Sequence, residues 1–227
     1  MTNDSAPSYV QAGRDVDFVR QTALQLARCV LHLHEEHGVI HRDIKPKNVL
    51  VFGDGLKLAD MDASSADGAD TGDGKWSPTY AAPELARHKL CTGLTPAPLL
   101  ATKKFDVWSL GVVMYELSTG IRLFVSDTDD HFVDEASMLQ LVNWTSLDQR
   151  QLRKILSPEI CPGATAQERG ALRGLISRCL SADPAARPTV GRQPRTSQRH
   201  LGARPIKATT RPSPLDVRKD THKHSCN

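Results

Sequence analysis

The chain has 227 residues, of which 39% are hydrophobic and 24% charged, a composition that suits one large folded domain or two small ones and excludes wholesale disorder. Its 29 Lys and Arg residues against 26 Asp and Glu leave a net charge of +3. No apolar run approaches the roughly 20 residues needed to span a bilayer, and the N-terminal residues lack the pattern of a secretory signal. The five cysteines are scattered and form no Cys-x-x-Cys pair. This predicts neither a disulfide framework nor a zinc site and favours a reducing compartment, cytoplasmic or nuclear.

A long amphipathic helix is predicted near the start of the chain. Its apolar positions recur at steps of three and four, and they are Val16, Val19, Ala23, Leu26, Val30 and Leu33. Gly38 provides a plausible end for this helix. We predict that residues 1–14, which precede the folded domain, form a flexible segment.

A small β-hairpin is predicted next. An apolar run at residues 49–52 and a second at residues 56–59 flank the turn sequence Gly53-Asp54-Gly55. Residues 60–75 are rich in Asp, Ser and Gly and show no periodicity, which predicts an exposed loop.

The remainder of the domain is predicted to be helical. Residues 85–105 contain two prolines and are typical of an irregular connection, whereas residues 106–117 are apolar on nearly all sides and predict a helix at the centre of the domain. Further helices are predicted over residues 136–156 and 167–180. The fold class predicted from the sequence is therefore mainly α with one small β-hairpin.

The C-terminal residues 191–227 form a basic tail. They contain nine Lys or Arg, two Asp and four Pro, and they have no Phe, Trp or Tyr. Because such a segment buries too little apolar area to offset its ordering entropy, we predict that it is disordered. The charge is compatible with contact to nucleic acid or acidic lipid, although the missing aromatic residues disfavour binding to single-stranded nucleic acid.

The sequence HRDIKPKN, residues 41–48, carries the chemistry. Phosphoryl transfer needs a carboxylate that accepts a proton from the attacking hydroxyl, a cation near the transferred phosphate and oxygen ligands for Mg²⁺. Asp43, Lys45 and Asn48 supply one group of each kind within six residues. The predicted hairpin then returns the chain and places Asp60 directly after its second strand.

These residues give the chain a resemblance to the eukaryotic protein kinases of the serine/threonine type. The resemblance covers residues 15–190 and depends on five motifs in the family's order. The motifs are HRDIKPKN, LKLADMD around residue 60, the Ala-Pro-Glu at residues 82–84, DVWSLG at residues 106–111 and DPAARPT at residues 183–189.

The resemblance implies roles for individual residues and a set of cofactors. By this likeness Asp43 is the catalytic base, Lys45 neutralises the phosphate, and Asn48 and Asp60 hold Mg²⁺. Leu50 is expected beneath the adenine ring, so that Lys45, Asn48, Leu50 and Asp60 together bind ATP. The resemblance implies ATP and Mg²⁺ as cofactors and a protein with a Ser or Thr hydroxyl as the phosphoryl acceptor.

Further residues are expected to support this loop. By the same likeness Ser77 bonds to the catalytic aspartate and lysine, Glu84 pairs with Arg187, and Asp106 braces the loop from below. His41 is interpreted as a buried structural histidine.

Arg42 is the residue that receives an activation-loop phosphate in many members of the family. Ser64, Ser65 and Thr71 are the candidate phosphorylation sites in this chain. We hypothesise that the acidic residues of the segment 60–75 partly satisfy Arg42 without modification, the alternative being that this segment is simply solvated.

The sequence departs from the family's pattern in two ways. Asp62 replaces the glycine of the Asp-Phe-Gly motif, with Met61 in place of phenylalanine. No glycine-rich nucleotide loop and no strand lysine precede residue 15, so we expect the C-terminal lobe only, the N-terminal lobe being absent through truncation. We therefore expect that the isolated chain is weakly active or inactive.

Three other functions stay open on the sequence alone. The chain is compatible with a non-catalytic kinase-like interaction module, or pseudokinase. A small-molecule phosphotransferase also uses a His-x-Asp loop, although Arg42, Lys45 and the Ala-Pro-Glu motif favour protein kinases. A nucleic-acid-binding function has only the basic tail in its favour.

Overall fold

The computed structural model describes residues 16–53, 55–72, 74–90 and 97–191. The flexible segment predicted at residues 1–14 and all but the first residue of the basic tail predicted at residues 191–227 lie outside the described residues.

The first helix, α1 (Val16–Glu36), is the predicted amphipathic helix. Val19, Leu26 and Val30 are buried against the rest of the domain, while Leu24 on the opposite side is exposed. Gly38 has a φ of +61°, a left-handed conformation that glycine adopts without strain. The chain turns there and enters the short strand β1 (Val39–Ile40), which leads into the 41–48 loop.

The hairpin predicted after this loop is confirmed. Strands β2 (Val49–Phe52) and β3 (Gly55–Leu58) pair antiparallel, with Val49 opposite Leu58. The first residue of β2 is buried, and the three that follow are exposed. The hairpin therefore joins the core at its base and presents an apolar outer end.

Most described residues of the segment 60–75 are exposed, as predicted, but the prediction of a loop without regular structure is wrong for its central part. Strand β4 (Ser65–Ala66) pairs antiparallel with β1 in a second two-stranded sheet. On its other side the segment 68–71 is hydrogen-bonded to the segment 99–101, with N···O distances of 2.7–2.9 Å. The side-chain composition gave no sign of this pairing because main-chain groups make it.

Two helices follow the 65–71 segment. Helix α2 (Pro83–Leu90) occupies the start of the stretch that the sequence predicted to be irregular, so that prediction is wrong there. Helix α3 (Lys103–Thr119) contains the predicted central helix, and every residue from Phe105 to Thr119 is buried. Its all-round burial explains why residues 106–117 have no polar face.

Three more helices complete the domain. The prediction of one helix over residues 136–156 is wrong, since α4 (Glu135–Val142) and α5 (Gln149–Lys154) are separate helices. Asp148 starts the second of them with a capping box that satisfies backbone N–H groups at its N-terminus. Helix α6 (Ala166–Cys179) begins one residue before its predicted start and packs against α3.

The described residues thus form a mainly helical domain with two small antiparallel sheets. The apolar core is centred on α3 and includes Trp108, Tyr115, Phe124 and Trp144. No helix among the described residues is long and apolar enough to cross a membrane.

Candidate functional site

The 41–48 loop is fixed from below by one buried carboxylate on α3. Asp106 accepts hydrogen bonds from the backbone N–H groups of His41 at 2.9 Å and Arg42 at 2.8 Å. Its Oδ2 also lies 2.8 Å from Nε2 of His34 on α1. Arg42 has a φ of +67°, so the chain turns sharply where these bonds form. The predicted bracing role of Asp106 is confirmed.

His41 is fully buried, as the sequence analysis predicted. Its Nε2 lies 3.2 Å from the carbonyl oxygen of Ala59, and its Nδ1 accepts a hydrogen bond from the backbone N–H of Asp43 at 3.3 Å. The ring therefore connects the loop to the segment directly before Asp60.

The carboxylate of Asp43 is held on one side and free on the other. Asn48 Nδ2 donates to Asp43 Oδ2 at 3.0 Å and to the Asp43 carbonyl at 2.8 Å, and Lys45 Nζ lies 3.2 Å from the same Oδ2. The second oxygen, Oδ1, is buried and has no hydrogen-bond partner. The structure thus brings together three of the predicted site residues and leaves one buried acceptor available.

Lys45 connects the loop to the segment that follows β4. Its Nζ donates to the hydroxyl of Ser77 at 2.6 Å, which confirms the lysine part of the bonding predicted for Ser77. The predicted bond to Asp43 is not seen, since the Asp43 carboxylate is bonded through Oδ2 by Asn48 and its Oδ1 has no partner. The Lys45 side chain is only 16% exposed. An ammonium held by a carboxylate and a hydroxyl has little freedom, so its charge stays at a fixed place beside Asp43.

Asp60 lies next to this group through the hairpin. The backbone N–H of Ala59 donates to the carbonyl of Asn48 at 2.9 Å, which places Asp60 directly beyond Asn48. Asp60 is exposed and has a φ of +61°. The hydrogen bond and the charge of Asp62 raise the pKa of Lys75, and the charges of Asp60 and Asp43 raise it further. The Lys75 ammonium therefore interacts electrostatically with all three carboxylates.

Leu50 lies on β2 two residues after Asn48 and is 43% exposed. Its side chain therefore presents apolar surface on the strand that directly follows the 41–48 loop.

The predicted metal ligands have the chemistry of a Mg²⁺ site. The Nδ2 of Asn48 is bonded to Asp43, which directs its Oδ1 away from that residue, and Asp60 adds an exposed carboxylate. Mg²⁺ takes oxygen ligands and is usually held by one or two side chains together with substrate phosphates. The described residues include no group of three or more His, Cys, Asp or Glu side chains suited to a metal. The donors present fit a Mg²⁺ ion that a nucleotide helps to bind.

The sequence analysis missed two charged residues near the site. Lys75 forms an ion pair of 2.7 Å with Asp62, the residue that replaces the family's glycine. Asp130 lies 3.1 Å from Lys47 and 3.9 Å from Lys45. Neither residue belongs to a motif, and the pairs span 13 and more than 80 residues, so no local pattern could have identified them.

We hypothesised that acidic side chains of the segment 60–75 partly satisfy Arg42, but the structure shows a bond to the main chain of that segment instead. Arg42 Nη2 donates to the carbonyl oxygen of Thr71 at 2.8 Å, so a main-chain group of the segment is one of its partners, while its buried Nε has no hydrogen-bond partner. Burial lowers the pKa of Arg42, and the charges of Asp106 and Asp70 oppose that shift. One acidic residue of the segment, Asp70, thus contributes through its charge, while the hydrogen bond itself is made by the backbone. Thr71 is buried, so among the candidate phosphorylation sites its hydroxyl is shielded in this conformation.

Two further pairs fix the segment that ends at α2. The guanidinium of Arg187 bonds both carboxylate oxygens of Glu84 at 2.7 Å, which confirms the predicted pair. Tyr80 donates its hydroxyl to Glu116 on α3 at 2.9 Å. These pairs bind the segment 77–84 to the centre of the domain.

The comparison with known families identifies this arrangement. The family model described as "Protein kinase domain" matches residues 9–197, and the chain therefore belongs to the protein kinase family.

Several curated proteins are similar to this chain. CBL-interacting protein kinase 29 of Oryza sativa subsp. japonica is 34% identical over 174 residues, which cover 75% of this chain and 32% of that protein. Protein kinase wis1 of Schizosaccharomyces pombe is 30% identical over 184 residues, covering 79% and 27%. Serine/threonine-protein kinase CHK1 of Saccharomyces cerevisiae is 32% identical over 162 residues, covering 65% and 29%. The aligned part thus spans about a third of the length of these relatives.

Proposed function

We propose that this domain transfers the γ-phosphoryl group of ATP to a Ser or Thr hydroxyl of a protein. The proposal depends on how the two carboxylate oxygens of Asp43 are bonded. One of its oxygens is held by Asn48 and Lys45, and the other is buried without a partner. A fixed carboxylate with one available oxygen is what a general base for a hydroxyl requires.

The proposed reaction is a single displacement at phosphorus. The acceptor oxygen forms a bond to the γ-phosphorus while the bond from that phosphorus to the β-bridging oxygen breaks, and ADP leaves. Asp43 Oδ1 accepts the proton of the hydroxyl. Lys45, held at 2.6 Å by Ser77, supplies positive charge where negative charge spreads over the transferred group.

Asn48 and Asp60 are proposed as the ligands of Mg²⁺. The ion, when bound, neutralises charge on the phosphate oxygens. On the protein side Asn48 has a second task, since its Nδ2 orients Asp43 while its Oδ1 stays available. Leu50 is proposed to contact the adenine ring from below.

A non-catalytic interaction module is the second candidate. The observation that favours it is the ion pair between Asp62 and Lys75, which stands where the family has a glycine. The positive φ of this motif lies at Asp60, and Asp62 is not among the residues with positive φ, so the substitution is accommodated without strain at that position. Altered charge next to Asp60 is compatible with weakened metal binding.

A transfer assay tests the first proposal. The purified protein is incubated with radiolabelled ATP, Mg²⁺ and a Ser/Thr peptide library, and phosphate incorporation is measured. We expect weak turnover, in line with the departures from the family's pattern, and we expect Asp43→Asn to lower it further by about a hundredfold or more, as for removal of a general base. Asp67→Asn is the matched control, because Asp67 is exposed and its hydrogen bond to the carbonyl of Gly38 is made by its backbone N–H.

Nucleotide binding separates the two candidates. We expect Mg²⁺-ATP to raise the melting temperature of the protein, and Asp60→Asn to abolish this shift while Asp67→Asn preserves it. Turnover that survives Asp43→Asn contradicts the catalytic proposal. A protein without any nucleotide shift supports the interaction module.

A further inference from the structure

Three cationic side chains surround one buried carboxylate at the edge of the site. Asp130 Oδ2 lies 3.1 Å from Lys47 Nζ and 3.9 Å from Lys45 Nζ, and its Oδ1 lies 3.6 Å from Arg122 Nη2. The Asp130 side chain is only 3% exposed. A buried carboxylate is costly unless cations compensate it, so this cluster forms as a unit.

Asp130 occupies a junction between three segments that are distant in sequence. Its side chain faces the two lysines of the 41–48 loop. Its carbonyl oxygen accepts a hydrogen bond from Thr79 Oγ1 at 3.2 Å, next to Tyr80 in the segment before α2. Its own loop is fixed to the same place, because Lys47 also donates to the carbonyl of Thr128.

The loop that presents Asp130 has a defined internal structure. Asp127 accepts hydrogen bonds from the backbone N–H groups of Asp129 and His131 through Oδ1, and Arg122 donates to the Asp127 carbonyl at 2.8 Å. Asp130 has a φ of +65°, a conformation that Asp and Asn tolerate better than other non-glycine residues. The turn therefore aims the Asp130 carboxylate inward while its neighbour Asp129 stays exposed.

Lys45 has three anionic or polar neighbours, of which Asp130, at 3.9 Å, is the most distant. The other two, Asp43 Oδ2 at 3.2 Å and Ser77 Oγ at 2.6 Å, belong to the proposed phosphoryl-transfer group. The negative charge of Asp130 adds a third attraction to the ammonium and limits how far it can move. Lys47, 44% exposed, fills the space between Asp130 and solvent.

We propose that Asp130 is a positioning residue that sets the place of the Lys45 and Lys47 ammonium groups at the edge of the site. The expected effect on rate rests on the function proposed for Asp43 and Lys45. The claim that Asp130 holds the two lysines rests only on the geometry of the cluster. Asp130 touches neither the phosphoryl group nor the acceptor hydroxyl in this assignment. It acts through the lysines and through the backbone bond to Thr79.

Asp130→Asn isolates the charge. Asparagine has the same shape and also tolerates positive φ, so the backbone turn and the bond from Thr79 to the carbonyl are preserved. The three cations left behind all reach solvent to some extent, so they can rehydrate in the variant. Asp129→Asn is the matched control, one residue away and exposed.

The first measurement does not depend on activity. Lysine side chains are labelled with an acylating reagent under conditions of partial modification and quantified by mass spectrometry, with exposed Lys154 as the internal reference. We expect Asp130→Asn to raise the labelling rates of Lys45 and Lys47 by about fivefold, the factor that a partly exposed ion pair provides. Asp129→Asn should leave both rates unchanged. In a Lys47→Met background, Asp130→Asn should still raise the labelling of Lys45.

The second measurement compares the effect of the substitution on kcat with its effect on the KM for ATP. With Mg²⁺-ATP and a peptide acceptor, we expect Asp130→Asn to lower kcat by about tenfold or more, as for a displaced catalytic group, while the KM for ATP stays within about twofold. Unchanged labelling of both lysines overturns the proposal whatever the kinetics show. Increased labelling with unchanged kcat overturns the positioning role. If the wild-type protein shows no turnover, the proposed function fails, and the labelling result alone decides whether Asp130 holds the lysines.

Discussion

Arg187 and Glu84 lie 103 residues apart in sequence and form a two-armed ion pair, with both N···O distances at 2.7 Å. The Arg187 side chain is fully buried and also donates to the carbonyl oxygens of Ser181 and Lys104. Its guanidinium lies over the ring of Trp108, 5.1 Å from the centroid. One side chain thus connects α2, α3 and the C-terminal part of the domain.

The first prediction concerns the stability that this pair provides. Arg187→Ala leaves the Glu84 carboxylate without its partner and removes the hydrogen bonds to the carbonyl oxygens of Ser181 and Lys104. We expect the free energy of unfolding to fall by about 3–5 kcal/mol, as for other half-removed buried pairs. Urea denaturation monitored by tryptophan fluorescence measures it. Arg150→Ala on the exposed surface is the control, with an expected change within about 0.5 kcal/mol. A loss equal to that of the control contradicts the prediction.

The second prediction concerns the contact between α3 and α6. A Cβ at Gly111 would lie 2.7 Å from Cys179 Cβ and 3.0 Å from Leu180 Cδ2, so the helices approach too closely for alanine. We expect Gly111→Ala to cost about 1–3 kcal/mol of stability through overpacking. Thermal denaturation followed by circular dichroism tests this.

Gly170 on α6 provides a matched control for that change. A Cβ at this position meets no atom within 4 Å. Because alanine is the better helix former, Gly170→Ala should raise stability by about 0.5–1 kcal/mol. Opposite signs for the two substitutions support the close approach, and equal signs argue against it.

The third prediction uses two buried threonines of the segment that leads to α2. Thr71 Oγ1 is buried and has no hydrogen-bond partner, whereas Thr79 Oγ1 donates to the Asp130 carbonyl at 3.2 Å. Valine has nearly the same shape without the hydroxyl. We expect Thr71→Val to be neutral or to stabilise the protein by up to about 1 kcal/mol, and Thr79→Val to destabilise it by about 1 kcal/mol. Melting temperatures compare them directly, and a larger loss for Thr71→Val would refute the assignment.

The fourth prediction is a pH dependence of stability that originates at Glu116. Burial raises the pKa of Glu116 to about 7, while the hydrogen bond from Tyr80 and the charge of Arg122 partly oppose the shift and Asp130 adds to it. Because the pKa in the folded state lies above the usual 4.5, the folded protein binds the proton more tightly than the unfolded chain does. The stabilising effect is complete below about pH 4.5 and is lost as the pH rises through about 7.

Unfolding at several pH values measures this contribution. Between pH 5 and pH 8 we expect Glu116 to account for a decrease of up to about 3 kcal/mol, which Glu116→Gln removes. Glu159→Gln is the control, because the hydrogen bond from Ser157 lowers the pKa of this exposed residue and it does not titrate in that range. An unchanged pH profile in Glu116→Gln would show that another group is responsible.

Local patterns in the sequence were sufficient for much of the fold. The three-and-four spacing from Val16 to Leu33 predicted α1, and the run of apolar residues around Trp108 predicted the central helix. The Gly53–Gly55 turn predicted the hairpin. These predictions succeeded because side chains within one element report which of its faces is buried.

The side-chain patterns could not predict which segments pair through main-chain hydrogen bonds. The pairing of β4 with β1, and of residues 68–71 with residues 99–101, is made by N–H and C=O groups that every residue carries. The single helix predicted over residues 136–156 failed for a related reason, since a capping box at Asp148 starts a second helix there.

The sequence by itself determined which groups of the candidate site are available: a carboxylate at Asp43, an ammonium at Lys45 and oxygen ligands at Asn48 and Asp60, all within 18 consecutive residues. Only the tertiary structure decided that one oxygen of Asp43 is held and the other free, and that Asp130 lies beside the lysines. Composition and spacing specify chemistry along the chain. The position and burial of each charge depend on helices and loops that are distant in sequence and meet only in the folded domain.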